Sequence, residues 1–293
     1  KRGNARFFGV TVLEDGNTPW GGQVIGRLLN DELQTDSEGY FELFVGPDVE
    51  GPNTIKTTAE TYRITFRQFF ADWENEAPMN AKIECLTHFD PPPEFDSQEL
   101  SEGLLSSANW VKWSVNYWAD MIDKWQQRPN EFLAYGELET NKIDFTPGGV
   151  PLISYWKLPK DEALILRVTP PQCDYWAVEF GNYWWETMDY RYRLSNLNCH
   201  YHSLEDNGEL IVVVAHEDPL LPNWLDPCGH EEGYITYRWI GAETEPRPHA
   251  TQVKLAELNQ HLPPTINTID KQERQAMLRG RRDGVIRRWY SKS

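Results

Sequence analysis

The chain has 293 residues, enough for one large domain or two modest ones, each with a real core. A formal net charge of −17 argues against nucleic acid as a partner, because phosphate binding needs a basic footprint. No stretch approaches the roughly 18 consecutive apolar residues of a membrane span, so no transmembrane segment is expected.

Residues 5–13 read as a strand, and neither an initiator Met nor a signal-peptide pattern precedes them. A segment upstream of Lys1 is therefore expected, and the cysteines are the remaining guide to localisation. Cys85, Cys173, Cys199 and Cys228 form no CxxC pair. They read as free thiols of a reducing, cytoplasmic setting rather than as a zinc ribbon or a disulfide framework.

Residues 36–69 and 205–240 share a skeleton. Each copy opens on an acidic turn with a glycine, Gly39 or Gly208, and an apolar run follows. Next comes D-x-x-x-P-N, from Asp48 to Asn53 or from Asp218 to Asn223. A second run ends in I-T-aromatic-R, at Arg67 or Arg238. Arg67 lies 14 residues after Asn53, and Arg238 lies 15 after Asn223. Glycine after an acidic residue makes a tight turn, and an Asn side chain can bond nearby backbone. The shared Arg is expected to grip the shared Asp through a charge-assisted fork. Each copy is preceded by a strand-like run and followed by an apolar run after a proline, at Pro78 and Pro248. The expected fold is mainly β: two related β-sandwich, jelly-roll-like units over residues 1–88 and 136–262.

Between the units, residues 89–135 comprise the proline stop FDPPPEFD and a helix. Trp110, Trp113, Tyr117, Met121 and Trp125 fall at helical spacing, so this stripe is expected to dock on a sheet. Residues 263–293 form a basic C-terminal helix carrying Arg274, Arg279, Arg281, Arg282, Arg287 and Arg288. On an acidic protein it is either a solvated face or an arm lying on the same chain or a neighbouring subunit. A homo-oligomer is expected.

The stretch DNGELIVVVAHEDPLLPNWLD followed by GHEEGYITYRW resembles the C-terminal domain of a bacterial family catalogued as domain of unknown function 1214. WAVEFGNYWWETMDYRYRLSNLNCHYHSL resembles the same family's upstream strands. The resemblance covers most of the chain and is most specific in the second half. It implies an all-β, jelly-roll-like sandwich with helical additions. It brings no reaction and no catalytic residues.

Positions common to both copies (Asp48, Asn53, Arg67, Asp218, Asn223, Arg238) read as scaffold, and those that differ are candidates for function. His200 and His202, two apart on a predicted strand, share a face. With His216 and His230 they could hold a divalent metal, completed by Glu217 or Asp226. Without a metal, Glu217, Asp226 and His230 are the candidates for acid–base hydrolysis. Trp, Tyr and Phe make up 13% of the chain, which suits either β packing or an aromatic-lined pocket. Trp176, Trp184, Trp185, Arg191, Arg193 and Trp224 are the candidate lining of a pocket for a small organic or carbohydrate ligand. Ligand binding leads. A metal-dependent or carboxylate-based enzyme using the 216–230 loop, and an assembly protein acting through subunit contacts, are the alternatives.

Overall fold

A computed structural model describes residues 1–16, 21–87, 96–134, 137, 149 and 151–290. The proline stop at 89–95 and the boundary expected near residue 136 lie outside the described residues. Strand outweighs helix, 30% against 21%, so the chain is mainly β.

The first unit holds β1 (Phe7–Glu14), β2 (Val24–Leu29) and β5 (Thr61–Phe69) in an antiparallel sheet ordered β2-β1-β5. A parallel ribbon of β3 (Phe44–Gly46) and β4 (Thr54–Lys56) accompanies it. Alternation along β1 turns Phe8, Val10 and Val12 into a core with Leu28, Leu33 and Ile55, while Phe7 faces the other way.

The second unit is a fuller sandwich. One sheet, ordered β10-β9-β13-β7-β6, contains β6 (Leu133–Ala134), β7 (Leu152–Lys157), β9 (Tyr175–Asn182), β10 (Asn196–Asn198) and β13 (Glu232–Ile240). The other, ordered β12-β11-β8-β14, contains β8 (Glu162–Val168), β11 (Leu210–Ala215), β12 (Trp224–Leu225) and β14 (His249–Lys254). Trp156, Leu164, Trp176, Val178, Val212 and Tyr237 belong to the core between them.

The sequence repeat is a repeat of hydrogen bonds. The Asn53 side chain accepts from the Gln34 amide at 2.8 Å and donates to the Gln34 carbonyl at 2.7 Å. Asn223 does the same to Ser203, at 2.8 and 2.6 Å. The carbonyl of each Asn accepts from the strand ahead, from Phe44 N or Val213 N, at 3.0 Å in both copies. Each clamp lays a short strand parallel to that one, β4 on β3 and β12 on β11. The turn glycines match too: Gly39 and Gly208 have φ of 81° and 83°, the left-handed region that glycine occupies without a Cβ penalty. The sheet β2-β1-β5 corresponds to β10-β9-β13.

The units differ where the second adds β7 and β8, which extend both sheets. The apolar runs after Pro78 and Pro248 therefore end differently. The later run forms β14 on β8. The earlier one forms no strand and leaves Ile83 and Leu86 exposed, with no counterpart of β8 beside it among the described residues. The two units meet through equivalent faces. Phe7 and Phe69 from one and Tyr175, Ala177 and Ile240 from the other make a shared cluster, with Phe69 stacked on Tyr175 at 5.2 Å.

Two helices complete the fold. In α1 (Ser97–Trp125), capped by Asp96, the C-terminal third is what docks. Met121, Ile122 and Trp125 are buried against Ile153 and Tyr155, with Trp118 and Tyr117 partly covered. Trp110 and Trp113, expected in the same buried stripe, are exposed, because the helix has left the sheet by that point. The basic tail forms α2 (Lys271–Tyr290). Asp270 and Glu273 close its first turn reciprocally: the Asp270 side chain accepts from the Glu273 amide, and Glu273 accepts from the Asp270 amide. Among the described residues, no helix is long and apolar enough to cross a membrane.

Candidate functional site

The loop from His216 to His230 is mostly framework. His216 Nε2 lies 3.0 Å from the Leu158 carbonyl, Glu217 is exposed, and His230 is exposed beyond the turn that begins at Pro227. Asp226 is buried and fully engaged: Oδ2 accepts from Arg193 at 2.9 Å and Oδ1 from the Cys228 amide at 2.7 Å. Glu217, Asp226 and His230 thus form no acid–base constellation.

The four histidines do not converge either. β10 ends at Asn198, so His200 and His202 sit in the bend after it and strand alternation does not govern them. His200 turns toward Asp72, 3.8 Å away, whereas the His202 ring packs edge-on against Trp176 at 5.0 Å. Burial lowers the His202 pKa, which favours its neutral form. Among the described residues, no group of three or more His, Cys, Asp or Glu could hold a metal.

The expected aromatic wall is dispersed. β9 ends at Asn182, before the pair Trp184–Trp185. Trp176 belongs to the sandwich core, while Trp184 is 69% exposed. Trp185, in the left-handed region at φ 62°, stacks on Tyr234 and packs against Trp118 at 3.8 Å, so it receives α1 instead of a ligand. Arg191 lies near the Tyr192 ring, and Arg193 is the partner of Asp226. Of the six proposed lining residues, Trp224 alone lines the cavity described next.

That cavity is made by α2. Arg274, Arg281 and Arg288 recur every seven residues and so share one helix face. Each guanidinium lies over an aromatic ring of the body: Arg274 over Trp224 at 5.1 Å, Arg281 over Trp73 at 4.1 Å and Arg288 over Phe70 at 4.6 Å. Trp224 belongs to the second unit, while Trp73 and Phe70 follow β5 of the first. Arg274 also grips Asp218 with two bonds, of 2.8 and 3.2 Å. The expected partner of Asp218, Arg238, instead stands opposite Ala177 on β13, in the other sheet. In the first copy Arg67 donates to Thr11 and Asp48 is exposed. The Arg–Asp fork predicted from the repeat is therefore absent in both copies, because β5 and β13 run in the sheet away from those Asp-bearing loops. The basic tail is an arm on its own chain.

Between α2 and the body lies a cavity of about 280 Å³, lined by residues including Trp73, Glu74, Tyr201, Trp224, Met277 and Arg281. Trp73 and Tyr201 stack at 4.2 Å and build one wall, and the Tyr201 hydroxyl donates to Asp72 at 3.2 Å. Arg281 is 3% exposed. Its Nη1 donates to the Tyr190 carbonyl at 3.2 Å, and its Nη2 donates to the backbone and side-chain oxygens of Asn196 at 2.8 Å. Its Nε is buried without a partner, and it forms no salt bridge with a carboxylate among the described residues. Burial accordingly pulls its pKa down from the ordinary guanidinium value. The site joins four distant points of the chain. Trp73, Tyr201 and Arg281 carry no local motif, and the seven-residue spacing of the arginines is the signal that could have marked the face.

No protein-family model matches the chain, and no curated protein matches it. Among solved structures, an uncharacterised protein from Burkholderia cenocepacia is similar, with a TM-score of 0.81 and 29% identity over 87% of this chain and 72% of that one. A protein from Vibrio parahaemolyticus gives a TM-score of 0.37 at 9% identity, over 83% of this chain and 85% of that one.

Proposed function

We propose that the chain binds a small organic ligand in the cavity between α2 and the two units. The observation that carries this reading is Arg281, a buried guanidinium with no carboxylate partner among the described residues, lining an aromatic-walled cavity. A buried charge without a counter-charge is costly, and an anionic ligand would supply one. The volume stands at the small end of ligand pockets, so the reading favours a single-ring organic acid over an oligosaccharide. Glu74, also in the lining, offers an acceptor for a ligand hydroxyl. The resemblance to domain of unknown function 1214 remains part of this proposal and adds no reaction to it. The four cysteines are free, which supports a reducing compartment.

The test is titration calorimetry with single-ring carboxylates and neutral monosaccharides. Ala276 lines the cavity yet is exposed, so Ala276→Trp fills the cavity without removing a core contact. A ring acid bound by the wild type and lost in Ala276→Trp, at equal melting temperature, is the expected result. Binding that survives in Ala276→Trp, or a panel with no binder, refutes the reading.

A further inference from the structure

We propose that the first unit is a β-strand acceptor: the groove between β3 and residues 80–86 takes an extended, alternately aliphatic segment of a partner polypeptide, paired to the edge of β3. This goes beyond ligand binding under α2 and is independent of it. The groove has a volume of about 610 Å³, and Leu43, Val45, Ile64, Phe66, Ile83 and Leu86 are among its lining.

The second unit shows what fits there. In it β8 lies between β11 and β14, and Leu164, Leu166 and Val168 of β8 belong to the core. β3 holds the place of β11, since Phe44 and Val213 donate to the two clamp carbonyls. The run after Pro78 holds the place of β14. The groove is thus the place that β8 fills in the other unit. Burial records the difference. Ile235 is 0% exposed in the same core as β8, whereas Ile64, at the same position of the I-T-aromatic-R motif, is 43% exposed.

Backbone, side chains and charge select the occupant. The Phe44 amide is turned to the β4 side, so alternation turns the N–H and C=O groups of Leu43 and Val45 to the groove. No strand pairs with that edge among the described residues. A segment that joins such an edge bonds through its main chain and is chosen by its alternate side chains. Phe41, Leu43 and Val45 pack on the core of their unit as Leu210, Val212 and Val214 do on theirs, so the occupant needs aliphatic residues at every second position. Neither Lys nor Pro, two usual guards of a sheet edge, occurs from Phe41 to Gly46. Charge fixes one more position. On β8, Arg167 stands opposite Ile211, and the residue in the place of Ile211 is Glu42, exposed at the groove. A basic residue at that register of the occupant meets Glu42 across the pair. A second copy of the chain fits less well, because its own β8 is engaged on both edges.

The experiment is fluorescence anisotropy of the whole chain with a labelled synthetic peptide of residues 160–169, which is β8 with its flanks. Saturable binding of one peptide per chain is expected. N-methylation of the peptide at Leu166, opposite the place of Leu43, removes a main-chain donor and should weaken binding about tenfold. Arg167→Glu in the peptide should weaken it about fivefold. Ile64→Arg in the protein should abolish it at an unchanged melting temperature, since Ile64 is exposed. No binding up to millimolar peptide, or equal binding of the N-methylated and unmodified peptides, overturns the proposal. Binding that persists in Ile64→Arg also overturns it, by placing the peptide elsewhere. A wild type at twice the chain mass that falls to the chain mass in Ile64→Arg would overturn it in favour of a second copy as the occupant.

Discussion

Replacing Arg274 with alanine tests whether α2 fastens the molecule or merely rests on it. The guanidinium is 4% exposed, holds both oxygens of Asp218, donates to the Leu221 carbonyl and covers the Trp224 ring. Its removal leaves the Leu220 amide, 2.8 Å away, as a remaining partner of Asp218. Removing one member of a buried pair costs roughly 3–5 kcal/mol. The Asp218 side chain keeps 24% exposure, so water recovers part of that loss, and about 3 kcal/mol is expected. At roughly 2 °C per kcal/mol for a chain of this size, the melting temperature falls by about 6 °C. Calorimetric melts of Arg274→Ala, Asp218→Ala and the double variant give the coupling, expected near 2 kcal/mol. Additivity of the two substitutions to within about 0.5 kcal/mol would refute the fork as a fastening. Arg238→Ala serves as the control: combined with Asp218→Ala it should be additive, since β13 lies in the other sheet.

Three further outcomes are expected. Asn223→Ala removes three backbone bonds from a buried clamp and should cost about 2–3 kcal/mol in urea unfolding, against about 1 kcal/mol for the more exposed Asn53→Ala; equal costs would mean that burial does not set the value of the clamp. A Cβ at Gly284 would stand 2.6 Å from the Trp73 carbonyl, so Gly284→Ala should speed hydrogen exchange in the last turns of α2, whereas Gly103→Ala, with open space around it, should not. Burial puts the folded His202 pKa below its ordinary 6.5, so below that pH the unfolded chain takes up a proton that the folded chain resists. Stability is therefore full above 6.5 and falls as the pH drops below it, and His202→Gln should flatten that slope in denaturation midpoints measured at about pH 7.5 and about pH 5.5.

The parts of the fold that were legible in the sequence are those made by short-range chemistry. The acidic turn with Gly39 or Gly208 and the Asn clamp with Asn53 or Asn223 act within about twenty residues of themselves, so a repeat of letters became a repeat of bonds. The pairing of Asp218 was not legible in this way. Its partner comes from α2, 56 residues on, and an Arg already present in the motif was the nearer candidate. The candidate site was harder still, because Trp73, Tyr201, Trp224 and Arg281 meet only after both units and the helix have docked. The histidines drew attention by chemical type, yet type says nothing of convergence: His200 faces Asp72 while His202 packs on Trp176. In α1, periodicity identified an apolar face but could not show where along the helix the sheet stops.

α2 follows both of the units it joins in the chain, so its docking can only come after each of them has been made. Domains fold as units while the chain emerges, N-terminal first. Until residues 271–290 are made, Trp224 and Trp73 stand without the arginines that later cover them. Docking of α2 covers a ring of each unit and closes the cavity in the same step, so latch and pocket are one structural event.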